Sequence, residues 1–238
     1  MKGLILIETS TALCSVALAE NGQITAYRES SAPKAHASLT AVFVQEVLEE
    51  RGLKLSDCNA VCVSMGPGSY TGLRVGVSTA KGLCFGSGLP LLAVGTLDTL
   101  VAQALTATEC KAAPAIPEGI CWKYIIPMID ARRMEVYSAI YTSDGQQITE
   151  TSPVIVDETG FAEYLEQGPC LFIGDGAGKC ADVIKHPNAY FCQCNPAASA
   201  MLEPALQKFE KSEFCDVAYF EPFYLKEFVA TVSKKKLF

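Results

Sequence analysis

The sequence predicts an α/β chain of two similar halves, each a mixed sheet with flanking helices. Three observations carry this. Short runs of β-forming residues alternate with helical stretches. A segment broken by Pro114, Pro117 and Gly119 divides the chain near its middle and shows no periodicity. The order strand, polar turn, strand, glycine turn opens the chain and occurs again after that division.

Leu4 to Ile7 is a short apolar run, and Glu8-Thr9-Ser10-Thr11 follows as a polar turn. Cys14 to Ala19 reads as a second strand, Asn21-Gly22 as a hairpin turn, and Ile24 to Glu29 as a third strand. His36 to Arg51 reads as a helix. Its apolar residues (Leu39, Ala41, Phe43, Val44, Val47, Leu48) spread over roughly 200° of arc, about twice what a surface helix needs. Either one face meets a partner, or the helix is sandwiched within the chain. Ala60 to Met65 is a buried strand running into Gly66-Pro67-Gly68. A helix follows from about Thr71 to Phe85, stopped by Gly86-Ser87-Gly88. Pro90 to Val94 is a strand and Thr96 to Leu105 a helix.

Residues 1–106 therefore form an N-terminal half and residues 107–123 a linker or long loop, with residues 124–238 as the C-terminal half. The second half restarts with Tyr124 to Ile129, the polar turn Asp130-Ala131-Arg132-Arg133, and a strand Glu135 to Tyr141 closed by Asp144-Gly145. Val154 to Val156, a helix at Phe161 to Glu166, and a strand Leu171 to Ile173 come next. Gly174-Asp175-Gly176-Ala177-Gly178 and a helix at Ala197 to Phe209 complete the order. Tyr219 to Leu225 is too aromatic for a free tail and should pack back on the body. This duplicated organisation resembles the actin-like ATPase fold (sugar kinase/Hsp70/actin, RNase H-like), in which polar turns hold phosphates and metal in a cleft between the halves.

The chain has 238 residues, half of them hydrophobic, enough for a real core. No apolar run is long enough to span a bilayer, and the apolar run ended by Glu8 is too short for a signal peptide. A soluble, cytoplasmic protein is expected. The net charge of −7, with Lys234-Lys235-Lys236 as the only basic run, argues against a chain that grips RNA by itself. Eleven cysteines without a C-x-x-C, a Cys192-Gln193-Cys194 spacing too short for usual zinc pairs, and only two histidines argue against a structural zinc site. Buried, reduced thiols are expected.

The most informative segment is Gly66-Pro67-Gly68-Ser69-Tyr70-Thr71-Gly72-Leu73-Arg74-Val75-Gly76. Gly66 and Gly68 permit positive φ beside a rigid proline. Ser69 or Thr71 can cap the helix, whose first N–H groups could receive an anion, with Arg74 adding charge. Established nucleotide fingerprints do not fit: Gly72 is followed by Leu73 rather than Lys, and Thr71 stands where the dinucleotide pattern needs glycine. G-x-S-x-G is absent.

This segment resembles the signature of the TsaB family. So do Leu4 to Thr11, Ile129-Asp130-Ala131-Arg132-Arg133-Met134-Glu135-Val136-Tyr137, and Glu221-Pro222-Phe223-Tyr224-Leu225, in the right order and over nearly the whole chain. Only residues 106–123 and the stretch from His186 to Cys194 match nothing in the family. The resemblance implies an actin-like fold and a non-catalytic subunit that pairs with a catalytic paralogue, TsaD, and an ATPase, TsaE. These place threonylcarbamoyl on N6 of the tRNA adenosine next to the anticodon. It implies no intrinsic cofactor, ATP or ADP only at the interface with partners, tRNA contact only through the complex, and a homodimer when the chain is alone. Older usage calls both paralogues glycoproteases, a label not taken here as an activity.

The catalytic paralogue binds its metal through a His-x-x-x-His pair, and the matching positions here are Thr96 and Leu100. No metal site is therefore expected, and no catalytic residue is assigned. Glu8, Thr9, Ser10, Thr11, Asp130, Arg132, Gly174, Asp175 and Gly176 are the candidates for vestigial nucleotide turns that the resemblance implies. Glu8 reads as a solvated turn carboxylate rather than a magnesium ligand, Asp130 as a brace for its turn beside Arg132, and Gly174–Gly178 as a plain glycine-rich turn. The family-motif turn is Gly66, Pro67, Gly68, Ser69, Tyr70 and Gly72. His36, Leu39, Thr40, Phe43 and Val47 on the first helix, with Thr71, Arg74, Val75 and Ser78 on the second, are the expected partner interface. Replacing Leu39 and Phe43 by Asp should then break docking and spare the fold. The competing classes are an active actin-like phosphotransferase, which needs a catalytic carboxylate, a metal and two working phosphate turns, and a peptidase, for which no nucleophile or zinc motif is present.

Overall fold

A computed structural model of the chain describes residues 2–106 and 119–225. The body of the expected linker, residues 107–118, and the Lys234-Lys235-Lys236 run lie outside the described residues.

The first half contains β1 (Leu4–Glu8), β2 (Cys14–Glu20), β3 (Gln23–Ser30), α1 (Ala35–Glu50), β4 (Ala60–Gly66), α2 (Tyr70–Ser87), β5 (Leu91–Gly95) and α3 (Thr96–Thr106). Its sheet runs β3-β2-β1-β4-β5, antiparallel across β1–β2–β3 and parallel across β1–β4–β5. The second half contains β6 (Tyr124–Asp130), β7 (Glu135–Ser138), β8 (Tyr141–Thr142), β9 (Ser152–Ile155), α4 (Ala162–Leu165), β10 (Cys170–Gly174), α5 (Ala177–Ala181), β11 (Ala189–Gln193) and α6 (Leu202–Glu210). Its sheet runs β11-β10-β6-β7-β9. With β8 set aside, β9, β7, β6, β10 and β11 are the third, second, first, fourth and fifth strands of this half, with the same antiparallel and parallel pairings. The chain is a duplicated α/β fold of the actin-like type.

The single strand expected over Glu135 to Tyr141 is broken into β7 and β8. Both pair with β6, one at each end. Between these ends stands Pro127, which has no N–H to give the ladder, and its carbonyl instead accepts from Ser138 Oγ at 2.8 Å. The expected helix at Ala197 to Phe209 opens as a 3-10 turn, Ala198–Met201, before α6. α5 and β11 were not expected. Each is five residues long, too short for periodicity to show.

The halves exchange their last helices. Leu97, Leu100, Val101 and Ala104 of α3 pack against Ile125, Ile129, Tyr141, Leu171 and Ile173 of the second sheet. Ala198, Met201 and Ala205 pack against Leu4, Leu6, Cys62, Leu92 and Val94 of the first. Two helix–sheet layers thus couple the halves, while α1 and α2 cover the outer face of the first sheet through Phe43, Val44, Val47, Val77, Ala80 and Cys84. Among the described residues no helix is long and apolar enough to cross a membrane. Their cysteines are free, and most are buried.

Leu100 is fully buried in this exchanged layer. Leu100→Ala should lower the unfolding free energy by about 2–5 kcal/mol. In urea, Trp122 fluorescence, which reports on the second half, and far-UV circular dichroism should shift to the same lower midpoint. Separate midpoints would show that the layer does not couple the halves.

Candidate functional site

The motif turn and the first polar turn are pressed together. A Cβ at Gly68 would lie 2.3 Å from the Ser10 carbonyl oxygen, one at Gly72 would lie 2.1 Å from that of Thr9, and one at Gly76 would lie 2.2 Å from Thr9 Oγ1. These glycines are needed because residues 9 and 10 already fill the space. The turn also consumes its donors. Ser69 N–H donates to the Ser10 carbonyl at 2.6 Å, and Ser69 Oγ caps α2 by accepting from Gly72 N–H at 3.3 Å. Ser10 N–H donates to Glu8 Oε1 at 2.7 Å and Thr9 N–H to Ser64 Oγ at 3.4 Å. Ser69, not Thr71, is the cap, and these turn amides are not presented to an anion.

Glu8 is not a solvated turn carboxylate, contrary to the sequence expectation: its exposure is 0%. It sits at the carboxyl ends of β1 and β4, roofed by the motif turn. Burial pushes its carboxyl up from 4.5 to about 7, against smaller opposing contributions from Ser10, Ser64 and Thr9. Thr9, Ser10 and Thr11 are buried with it, and the hydroxyls of Thr9 and Thr11 have no hydrogen-bond partner among the described residues.

The second polar turn is closed in the same manner. Asp130 N–H donates to Asp175 Oδ1 and Arg132 N–H to Asp130 Oδ1, each at 2.8 Å, and Ala131 N–H donates to the Glu135 carbonyl at 3.1 Å. Asp130 braces its turn, and Arg132 contributes its backbone in a left-handed conformation, φ 67°. Lys179 pairs with the Asp130 carboxylate and donates to the carbonyls of Arg133 at 2.9 Å and Glu135 at 2.6 Å. Burial pushes Asp175 up to about 6. A Cβ at Gly174 would lie 2.2 Å from the Met128 carbonyl oxygen, and one at Gly176 would lie 2.9 Å from Val136 Cγ1. Both glycines serve close packing on the second sheet. Thr96 and Leu100 are buried, and Leu100 touches the Gly174 turn. Among the described residues no cluster of three His, Cys, Asp or Glu side chains could hold a metal ion.

On the helical flank, Thr40, Phe43 and Val47 are buried in the chain's own core and cannot meet a partner. Phe43→Asp would therefore damage the fold, correcting the sequence expectation. His36 is also engaged internally: its Nε2 donates to the Thr11 carbonyl at 2.9 Å, and Thr40 Oγ1 donates to the His36 carbonyl at 2.6 Å. Leu39 is half-buried against the same core. The broad apolar arc of α1 has two neighbours within the chain. The sheet takes one side, and Leu53, Leu55 and Leu83 pack along the other, leaving an open groove of about 300 Å³ that Ala41, Gln45 and Glu49 also line. The exposed residues of α1 are Ala37, Ser38, Ala41, Val42, Gln45, Glu49 and Glu50.

On α2, Thr71, Arg74 and Ser78 are exposed and Val75 is half-buried. The outward face continues through Gly82 to Phe85, which is 88% exposed, and Gly86. A Cβ at Gly82 or Gly86 would meet nothing within 4 Å. Sequence reasoning took Gly86 as a helix stop and passed over Gly82. The available signal was a helix-interior glycine at a solvent position. The aromatic residues from Tyr219 to Leu225 signalled a segment packed on the body, but nothing in the sequence signalled that it meets Lys81 and Arg74 of α2.

The family model described as TsaD, tRNA N6-adenosine threonylcarbamoyltransferase, matches residues 29–170. The tRNA threonylcarbamoyladenosine biosynthesis protein TsaB of Escherichia coli is 33% identical over 235 residues, covering 95% of this chain and 96% of that protein. Its counterpart in Haemophilus influenzae is 38% identical over 243 residues, covering 98% and 96%. A tRNA N6-adenosine threonylcarbamoyltransferase of Paracoccus denitrificans is 37% identical over 98 residues, 41% of this chain and 25% of that protein. The solved structure of a Pseudomonas aeruginosa protein described as similar to the peptidase YeaZ superposes with a TM-score of 0.80 at 25% identity, covering 95% of this chain and all of that one.

The buried Glu8 makes stability pH-dependent. The folded carboxyl ionises near 7 and the unfolded one near 4.5, so the folded state holds the proton more tightly. Its stability is full below pH 4.5 and falls as pH rises to 7, by roughly 3 kcal/mol in all. Asp175 adds a fall of the same sign that ends near pH 6. Urea unfolding at pH 5, 6, 7 and 8 should show Glu8→Gln more stable than wild type above pH 7, with the gap closing towards pH 5. A constant gap would mean that Glu8 is ionised in the fold.

Proposed function

The chain belongs to the TsaB family, and from that premise we propose that it serves tRNA threonylcarbamoyladenosine biosynthesis as a non-catalytic subunit, docking through α2 and the outward side of α1 on a TsaD-type transferase. A TsaE-type ATPase completes the assembly. The subunit holds no metal or nucleotide of its own, tRNA reaches it only through the complex, and a homodimer through the same face is the state of the chain alone.

The observation that carries this reading is the outward face of α2. Gly82 costs the isolated helix about 1 kcal/mol relative to alanine, and among the described residues nothing fills the space beside it. Gly72 and Gly76 on the inward side each have a neighbour that demands glycine. Two exposed glycines beside an exposed Phe85 suit the close approach of another helix, with the aromatic ring as anchor. The non-catalytic part draws support from the closed turns. A turn that binds phosphate presents free N–H groups, and here Ser10, Ser69, Asp130, Ala131 and Arg132 donate theirs within the chain.

Gly82→Ala should raise the unfolding free energy of the isolated chain by about 1 kcal/mol, while Gly72→Ala lowers it. Gly82→Leu should fold and fail to bind the transferase encoded in the same genome, measured by titration calorimetry. Cells depleted of the protein should lose threonylcarbamoyladenosine from their tRNA. Wild type should restore it and Gly82→Leu should not. Restoration by Gly82→Leu, or modification by the purified chain alone, would refute the reading.

A further inference from the structure

The last described residues form a strap across α2. Cys215 N–H donates to the Leu91 carbonyl at 2.8 Å, adding a bridge at the edge of β5. Lys81 Nζ donates to the carbonyls of Ala218 and Phe220, each at 3.0 Å. Phe223 N–H donates to the Met65 carbonyl at 2.7 Å, and the Phe223 carbonyl closes over Gly66, where a Cβ would lie 2.8 Å from its oxygen. The strap delivers Tyr224 to the first turns of α2. There its ring lies 4.9 Å from that of Tyr70, and its hydroxyl accepts from Arg74 Nε at 3.4 Å.

Arg74 is thereby held on two sides. Its guanidinium carbon lies 4.1 Å from the Tyr70 ring centroid, which stacks one face of the group, and Tyr224 ties its Nε. The terminal nitrogens remain, and Arg74 is exposed and forms no ion pair among the described residues. A free arginine loses rotamer freedom when it docks, and one already clamped has lost much of it. A planar fork with its terminal edge open fits a carboxylate in bidentate geometry.

We infer that the strap is a positioning device: Tyr224, braced by Tyr70, pre-orients Arg74 on the outward face of α2 to receive a carboxylate of the docked transferase. This rests on the docking face proposed above. The carboxylate is a protein side chain because Arg74 lies on the same outward face of α2 as Gly82, Phe85 and Gly86, the stretch that suits the close approach of another helix.

Affinity for the transferase is measured for the full chain carrying Arg74→Ala, Arg74→Lys, Tyr224→Phe and the double change Arg74→Ala/Tyr224→Phe, with Gly82→Leu as the control on the face itself. Arg74→Ala should weaken binding about tenfold, with Arg74→Lys recovering little of it. Tyr224→Phe keeps the ring and drops the hydroxyl, and should weaken binding about two- to tenfold at unchanged melting temperature. The double variant should bind no more weakly than Arg74→Ala alone. Added salt should weaken wild type more than Arg74→Ala. Wild-type affinity for Tyr224→Phe, multiplying effects in the double variant, or a melting loss without an affinity loss would overturn the inference. If Gly82→Leu abolishes binding while Tyr224→Phe does not weaken it, the strap inference alone falls. If Gly82→Leu binds as wild type, the docking face falls and the inference with it.

Discussion

The structure depends on the seating of one turn against another. The backbone of Thr9 and Ser10 occupies the volume that side chains at residues 68 and 72 would need, and the Thr9 hydroxyl does the same at residue 76. Glycine at the three positions lets the start of α2 sit directly on the end of β1. This contact sets the position of α2, encloses Glu8 and uses the amides that could otherwise receive an anion. A glycine-rich loop opening a helix is commonly read as a ligand cradle. Here the same chemistry closes the protein on itself, because the ligand-like group is its own carbonyl.

The second organising feature is the exchange of terminal helices. α3 buries its apolar face on the second sheet, and the 3-10 turn with α6 buries its own beneath the first. The layer between the two halves is therefore occupied by the chain itself, with Leu100 lying against the Gly174 turn. The α1 and α2 layer is left on the outer flank, and the strap from Cys215 to Tyr224 crosses the β5 edge, α2 and the end of β4. The surface that internal packing leaves unexplained is thus on the outside, and this surface organises the functional reading.

Much of this was legible in the residues. The element order, the division near residues 107–123 and the recurrence of strand, polar turn and strand follow from period and punctuation, which are local properties. The α1 interface was misread because amphipathic width reports how many neighbours a helix has and not whose they are. The sheet on one side and Leu53, Leu55 and Leu83 on the other account for its 200° arc. Glu8 was misread because a polar run between strands ordinarily faces water. Its burial follows from a contact with residues some sixty positions along the chain.

By itself the sequence determined that this is a duplicated α/β chain and that Gly66–Gly76 is its most informative segment. These are matters of residue type and local spacing. Only the tertiary structure decided that residues 68, 72 and 76 are glycine for the sake of internal contact while 82 and 86 are not. It also decided that Thr40, Phe43 and Val47 are lost to the core, and that Tyr224 reaches Arg74 across 150 residues of sequence. The physical reason is the same in each case. A side chain's role depends on what fills the space within 4 Å of it, and in a chain that folds back on itself most of those atoms come from far along the sequence.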